Sequence, residues 1–289
     1  MIKKLGSLFL VMGLVFLMSG CDFKLDSMEG IEIYTTNYPT EYITSRLYGE
    51  HSKIHSIYPN GINIDNYKLT KKQIQDYSSS DLYVFNGLNE KEKGYVNDMR
   101  NKNKRLMIID TTLYMEYQYG VEELWLDPSN LLMMAQNMKK GFGEYIRSYY
   151  LNNAIDKNYE ALKIDASNLD AKIKSMAEKA DNKVIVTTSR VFKYLEKYGL
   201  TVYCLDNGLD SKDISKIKSL INNGSIDYIF VKDGEEVSND VKALINGTNI
   251  QTKSLYMLAN ISEEKRDANA DYFTLMNENL EALKEELYE

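Results

Sequence analysis

Residues 31–40 read Ile-Glu-Ile-Tyr-Thr-Thr-Asn-Tyr-Pro-Thr and carry the first copy of the pattern that decides the fold. Ile31–Thr35 is rich in residues that favour strands, so it predicts a β-strand. Pro39 is typical of the first turn of a helix, and Gly49 is typical of the position just past a helix end. The stretch therefore predicts a strand that leads directly into a helix.

The same alternation continues along the chain. Further strands are predicted at residues 54–58, 82–85, 106–109, 184–187, 202–205 and 228–231, with helices between them, one of them capped by Thr70. Strands separated by helices favour parallel pairing with right-handed crossovers. From residue 128 to about 180 there is no strand candidate, and apolar residues recur at spacings of three to five: Ile164, Leu169, Ile173 and Met176. The pattern predicts an α/β fold with two lobes joined by one long amphipathic helix.

This organisation sets the expected boundaries and the place of any site. We expect a signal peptide at 1–21, a tether at 22–30, an N-terminal α/β lobe at 31–152, a linking helix at 153–181 and a C-terminal α/β lobe at 182–289. The second lobe ends in a helix with one apolar face: Phe273, Met276, Leu280, Leu283 and Leu287. Ligands of open parallel sheets bind beyond the carboxyl ends of the strands, so a cleft between the two lobes is the expected site.

The first 21 residues predict export. Lys3 and Lys4 precede an apolar run, residues 5–18, that is too short to span a bilayer, and Ser19-Gly20-Cys21 follows it. This ending resembles the lipobox of bacterial lipoproteins, which implies that Cys21 becomes the acylated first residue. The alternative is a plain signal peptide with an incidental Cys21. Acylated with more than one chain, Cys21 would anchor a soluble domain to the outer face of the cytoplasmic membrane.

Composition argues against several functions. Without residues 1–21 the chain has 33 basic and 42 acidic residues, a net charge of -9, which argues against nucleic-acid binding. Cys204 is then the only thiol, which excludes an intrachain disulfide, and its place in an apolar strand predicts a core residue. His51 and His55 are the only histidines and are expected at structural positions away from the cleft. Because two histidines and one thiol offer few candidates for Ser-His-Asp or Cys-His catalysis, we predict that the protein is not an enzyme.

Five short motifs occur in the order in which a known family has them. They are Thr36-Asn37-Tyr38-Pro39, Tyr58-Pro59-Asn60-Gly61, Asp-Leu-Tyr-Val-Phe-Asn-Gly at residues 81–87, Trp125-Leu126-Asp127-Pro128, and the run from Phe192 to Leu200. Together with residues 271–287 they resemble the zinc and manganese solute-binding lipoproteins of ABC transporters. The resemblance implies two four-stranded α/β lobes, a rigid linking helix and one metal ion held between the lobes. We expect a monomer that delivers this ion to an ABC permease in the membrane.

The metal ligands of that family are replaced in this chain. The positions of its three histidines fall on Asp65, Glu123 and Ser189, and its carboxylate ligand falls on Leu258. Zinc prefers imidazole or thiolate, whereas carboxylates and a hydroxyl suit hard cations such as manganese, calcium or magnesium. The resemblance thus implies weak binding of a divalent ion, manganese or zinc, by Asp65 and Glu123, with Ser189 as the weaker candidate. Alternatively, Asp65 and Glu123 are solvated acidic residues of the loops and bind no metal.

Tyrosines are frequent in the predicted cleft loops: Tyr38, Tyr58, Tyr67, Tyr114, Tyr117 and Tyr119. Of these, Tyr38, Tyr67 and Tyr117 are, with Leu258, the candidate cleft-lining residues. Phenolates could hold ferric iron and aromatic walls could hold a flat organic ligand, although a generally Tyr-rich composition is the plainer explanation. Two rival functions follow: a binder of an iron chelate or small organic molecule, and a ligand-free interaction or adhesion protein whose cleft is blocked by Leu258 and Tyr67.

Overall fold

Two parallel four-stranded sheets organise residues 28–288, the part of the chain that the computed structural model describes. The elements of the first lobe are β1 (Ile31–Thr35), α1 (Tyr38–Tyr48), β2 (Ser52–Ser56), α2 (Lys71–Tyr77), β3 (Leu82–Phe85), α3 (Glu90–Lys102), β4 (Met107–Asp110), α4 (Glu123–Leu126) and α5 (Pro128–Tyr145). The long helix α6 (Tyr149–Lys179) follows them.

The second lobe repeats the arrangement. Its elements are β5 (Val184–Thr187), a 3₁₀ segment (Arg190–Tyr198), β6 (Thr201–Cys204), α7 (Ile214–Asn222), β7 (Tyr228–Lys232), α8 (Asn239–Ile245), β8 (Gln251–Leu255), α9 (Glu263–Asp267) and α10 (Tyr272–Leu287). The strand order is β2-β1-β3-β4 in the first sheet and β6-β5-β7-β8 in the second, with parallel pairing throughout both. The predicted fold class, two parallel α/β lobes joined by one helix, is confirmed.

Local sequence explains several of these elements. Asn37 caps α1 by accepting from the Thr40 N–H (3.1 Å), and Thr70 and Gln73 form a capping box at the start of α2. In the Asn-Gly motif after β3, the Gly87 N–H donates to the Asp110 carboxylate (3.0 Å). A Cβ at position 87 would lie within 2.5 Å of that carboxylate, so the motif requires glycine.

The linking helix differs from its prediction at the start. It begins at Tyr149, four residues before the predicted position 153, because the Ser148 hydroxyl accepts from the Leu151 N–H (3.3 Å) and caps it. Residues 146–148 separate it from α5, so the region 128–180 holds two helices. Ile164, predicted on the apolar face, is 61% exposed. The buried face is formed by residues at spacings of three and four: Leu151, Ile155, Tyr159, Leu162, Ala166, Leu169, Ile173 and Met176.

One further boundary and one strand differ from the prediction. Met28 is already buried and its carbonyl accepts from the Tyr48 hydroxyl (2.6 Å), so the first lobe begins to pack inside the predicted tether. The strand β8 had no candidate in the sequence pattern.

Within the described residues, no helix combines the length and apolar character needed to cross a membrane. Cys21 and the predicted signal peptide lie outside these residues.

Candidate metal-binding cleft

The loops that follow the strands of both lobes meet in one cleft. On the side of the second lobe this cleft is formed by residues 256–262, which follow β8 and are called here the interlobe loop. Three backbone carbonyls of this loop accept hydrogen bonds from the first lobe: Met257 from the Trp125 indole (2.7 Å), Ala259 from the Tyr38 N–H (3.1 Å) and Ile261 from the Gly61 N–H (2.9 Å). The Asn260 amide donates in the opposite direction to the carbonyls of Pro59 (2.8 Å) and Ile62 (3.0 Å). The cleft is therefore bridged by direct contacts between the lobes.

Asp65 lies exposed on the loop between β2 and α2. Its N–H donates to the Asn63 side chain (2.9 Å), which forms a local turn. The Lys91 ammonium donates to the carbonyls of Ile64, Asp65 and Tyr67. The side chain of Lys91 thus holds in place the loop that carries Asp65, the first candidate ligand.

Glu123 is the first residue of α4 and is partly buried. Its Oε2 accepts from the backbone N–H groups of Gln118 (3.1 Å) and Tyr119 (3.0 Å). Because one carboxylate oxygen already orders the tyrosine-rich loop, Glu123 has a structural role whether or not it also binds a cation.

Ser189 and Leu258 lie on the side of the second lobe. Ser189 is 9% exposed, and its hydroxyl accepts from the Val191 N–H (3.4 Å) at the start of the 3₁₀ segment. Leu258 is 3% exposed and has a φ of 58°, a left-handed conformation that is uncommon for a branched side chain. It belongs to the same buried apolar cluster as Trp125 and Phe192. An apolar side chain is therefore buried at the position that the resemblance aligns with a carboxylate ligand, and this alignment stays a prediction.

The candidate tyrosines differ in their environments. Tyr38 is buried, and this burial raises the pKa of its hydroxyl, which opposes the phenolate form that ferric iron binds. Tyr67 is partly buried, its ring lies 5.9 Å from the Tyr58 ring, and its hydroxyl accepts from Gln73 (2.8 Å). Tyr117 is 45% exposed and Tyr114 is 94% exposed on the loop before α4. These positions give no support to a tyrosine-based iron site.

No cluster of metal-binding side chains forms among residues 28–288: three or more His, Cys, Asp or Glu side chains do not come together at one point there. His51 packs edge-on against Tyr150, and His55 lies 3.3 Å from Glu32, so both histidines have structural contacts, as predicted. Cys204 is buried as predicted, and burial raises the pKa of its thiol to about 11. The assignment of Asp65, Glu123 and Ser189 as metal ligands stays a prediction.

An arginine that was not predicted from the sequence joins the two lobes. Arg266 of α9 donates from both terminal nitrogens to the Glu41 carboxylate of α1 (2.8 and 2.7 Å) and from Nε to Asn60 (2.8 Å). The guanidinium carbon also lies 5.6 Å from the centre of the Tyr38 ring. The Glu41 side chain is only 15% exposed, so the pair is partly shielded from water. This Arg266 clamp opposes separation of the lobes at the cleft.

Replacing Arg266 by alanine should lower the free energy of unfolding by about 2 kcal/mol, because a partly buried carboxylate loses its bidentate partner. Arg266→Lys should recover only part of the loss, since lysine keeps the charge and lacks the planar fork. Denaturant unfolding followed by circular dichroism measures both values. The control is Lys163→Ala, which breaks an exposed pair with Glu160. Equal stabilities of the Arg266→Ala and Lys163→Ala variants would contradict the clamp.

A buried carboxyl group lies behind the loops of the first lobe. Glu92, in the first turn of α3, is 0% exposed, and its Oε2 accepts from the Asn86 N–H (3.0 Å). Burial raises the pKa of Glu92 to about 7, although the hydrogen bond from the Asn86 N–H and the positive charge of Lys91 limit the rise. Glu92 was not among the predicted site residues, and the sequence signal that could have found it is Asn89 as a helix cap with an acidic residue three positions later. Glu92 thus becomes a costly buried charge above neutral pH.

Two α/β lobes that are joined by one long helix and contact each other through their loops define the class of two-lobed solute-binding proteins. The chain belongs to the ZnuA family, whose model, described as zinc-uptake complex component A periplasmic, matches residues 33–286. The family suggested by the five motifs is confirmed.

Individual relatives agree with this assignment. The chain is 25% identical over 311 residues to the manganese ABC transporter substrate-binding lipoprotein PsaA of Streptococcus mitis, and 25% identical over 332 residues to the high-affinity zinc uptake system protein ZnuA of Bacillus subtilis. Both alignments cover 99% of each chain. Among solved structures, the metal-dependent lipoprotein YcdH from Bacillus subtilis has a TM-score of 0.74 at 21% identity and covers 89% of this chain and 99% of its own. The Zn(II)-bound ZnuA-like domain of Streptococcus pneumoniae AdcA has a TM-score of 0.73 at 21% identity, covering 90% and 100%.

Proposed function

We propose that this chain is the extracytoplasmic solute-binding lipoprotein of an ABC importer of the divalent-metal type. The observation that carries the proposal is the family match over residues 33–286. Relatives named for manganese and for zinc uptake support it. The protein captures its ligand between the lobes and, as a monomer, delivers it to a membrane permease. No covalent bond is made or broken in this process.

The ligand set limits the affinity for metal. Asp65, Glu123 and Ser189 offer only oxygen donors, and Glu123 already accepts two backbone hydrogen bonds. Zinc loses the imidazoles that give it high affinity, so we expect a dissociation constant of roughly micromolar or weaker, about 8 kcal/mol of binding free energy or less. Manganese or calcium should bind with similar strength, because both accept oxygen shells completed by water.

Neutralising both acids should abolish specific binding of manganese and zinc. Asp65→Asn combined with Glu123→Gln removes two negative charges, while the glutamine oxygen can still accept the N–H groups of Gln118 and Tyr119. Isothermal calorimetry of the domain with manganese, zinc and calcium measures the change.

A matched control removes the same charge elsewhere on the first lobe. Glu90 and Asp98 are exposed acids on α3, and Glu90→Gln with Asp98→Asn should leave binding unchanged. Nanomolar zinc binding by the unmodified domain, or equal binding by the two double variants, would show that the ligands lie elsewhere.

A ligand-free interaction protein on the same scaffold is the second candidate function. Leu258 favours it, because this side chain is buried and the resemblance aligns it with a carboxylate ligand of the family. In this case calorimetry should detect no binding of manganese, zinc or calcium even at about millimolar concentration. The dissociation constant would then be too high for a protein that captures metal ions. Any saturable cation binding that the Asp65→Asn, Glu123→Gln variant loses would exclude this candidate.

Replacing Cys21 by serine should release the protein from the membrane. Acylation needs the thiol, and the lipid on this thiol is the proposed anchor. Lipid labelling and membrane fractionation after a carbonate wash measure the effect. Cys204→Ala is the control, since this buried thiol should have no part in anchoring. Membrane retention of the Cys21→Ser protein would contradict the lipoprotein assignment.

A further inference from the structure

Two neighbouring tyrosines stand out in solvent at the start of α6. Tyr149 is 81% exposed and Tyr150 is 67% exposed. Aromatic side chains normally contribute much buried area, so an exposed adjacent pair is available for contact with a partner. Asn153, one turn further along α6, is exposed as well. This end of the helix therefore presents an open aromatic surface, the Tyr149–Tyr150 pair.

The pair lies beside the point at which the described chain begins. The ring centroid of Tyr150 is 5.7 Å from that of His51 in an edge-on contact. The His51 carbonyl accepts from the Gly30 N–H (2.6 Å), two residues after the first described residue, Met28. The contacts thus connect the tyrosine pair to the entry of the tether from Cys21.

The tether limits how far this surface can be from a bilayer. Cys21 precedes Met28 by seven residues, and a chain of that length spans at most about 25 Å. If Cys21 carries the lipid, which is part of the proposed function, the headgroup layer lies within this reach of Met28. The occupant that the tether brings to this surface is therefore the membrane to which it is anchored.

We propose that the Tyr149–Tyr150 pair rests in the phospholipid headgroup layer of the anchoring membrane. Tyrosine suits this layer, because its ring contacts the apolar boundary while its hydroxyl stays with the polar headgroups. The pair lies at the amino-terminal edge of the first sheet, near the starts of β1 and β2, whereas the cleft loops follow the carboxyl ends of the strands. A five-residue strand separates the two edges by about 17 Å. In this resting orientation the cleft faces the medium, and delivery to a permease requires the tyrosines to leave the headgroups.

The inference is tested with the full-length lipidated protein on vesicles of phosphatidylglycerol and phosphatidylethanolamine that contain a headgroup-labelled quencher. A polarity-sensitive fluorophore is attached at Asn153→Cys, on the face of the tyrosine pair, or at Tyr114→Cys on the exposed loop at the carboxyl edge. We expect quenching at position 153 and none at position 114. In the Tyr149→Ser, Tyr150→Ser background the quenching at position 153 should be lost, while flotation with the vesicles is retained through the lipid.

The possible outcomes separate the two proposals. Protein that floats with the vesicles but shows equal quenching at positions 153 and 114, or unchanged quenching without the tyrosines, keeps its anchor and overturns the tyrosine contact alone. Protein that does not float overturns both the anchor at Cys21 and the contact that depends on it. Because both tyrosines are exposed, their replacement should leave the circular dichroism spectrum unchanged, which checks that the variant is folded.

Discussion

Replacing Trp125 by alanine is expected to lower the free energy of unfolding by about 4 kcal/mol, the largest effect anticipated for a single residue of the cleft. Trp125 is 1% exposed, and its indole N–H donates to the Met257 carbonyl of the interlobe loop (2.7 Å). Its own carbonyl accepts from the Tyr272 hydroxyl of α10. Alanine would leave a cavity between the lobes and an unpaired carbonyl on the interlobe loop.

Trp125→Phe separates these two contributions. Phenylalanine keeps much of the apolar volume and removes the indole N–H, so the loss should be about 1 to 2 kcal/mol for the unpaired Met257 carbonyl and the smaller ring. Because Trp125 is the only tryptophan, unfolding in denaturant is followed by far-ultraviolet circular dichroism. A loss below about 1 kcal/mol in Trp125→Ala, or equal losses in both variants, would mean that the residue does not fill a rigid interlobe core.

Replacing Glu92 by glutamine is expected to stabilise the protein at pH 8 by about 3 kcal/mol and to have little effect at pH 4. The pKa of Glu92 is raised from 4.5 to about 7 in the folded protein because of burial. Between these two values the folded state binds more protons than the unfolded state. The contribution of Glu92 to stability therefore falls as pH rises from about 4.5 to 7, and the cost is fully present above the folded pKa.

Glutamine should fit the same position. Its side-chain oxygen can accept the Asn86 N–H that Glu92 accepts, and its amide can donate to buried groups nearby, where Tyr58 and Tyr83 have hydroxyls without a hydrogen-bond partner. The measurement is the difference in unfolding free energy between Glu92→Gln and the unmodified protein at several pH values. Glu90→Gln, at an exposed position of the same helix, is the control. A difference that stays constant between pH 4 and pH 8 would show that Glu92 does not titrate in this range.

Local pattern was enough to predict most of the fold. Ile31–Thr35 and Leu82–Phe85 consist largely of strand-forming residues between turn residues, and both strands were predicted at their observed bounds. β8 was not predictable in this way, because Gln251–Leu255 is a mostly polar edge strand with only Leu255 buried. Its strand conformation depends on its pairing with β7, which the local sequence does not encode.

The location of the candidate metal site could be predicted from the sequence, but the contacts of its residues could not. The carboxyl ends of parallel strands meet at one edge of a sheet, so the sequence alone predicts that the loops of Asp65, Glu123, Ser189 and Leu258 lie at one cleft. The contacts of these residues could not be predicted, because hydrogen bonds and burial depend on segments far apart in the chain. Arg266 and Glu41, for example, are separated by 225 positions.

The sequence by itself determined the α/β alternation, the two lobes and the family, and it predicted that the family's histidine ligands are replaced, because each of these depends on residue identity and local spacing. Only the tertiary structure decided that Leu258 is buried, that Glu123 holds the tyrosine-rich loop and that Arg266 joins the lobes. It also decided that Glu92 is enclosed while Tyr149 and Tyr150 remain in solvent. The physical reason is that burial, pKa and hydrogen-bond partners are set by the neighbours that folding brings together, and most of those neighbours are distant in sequence.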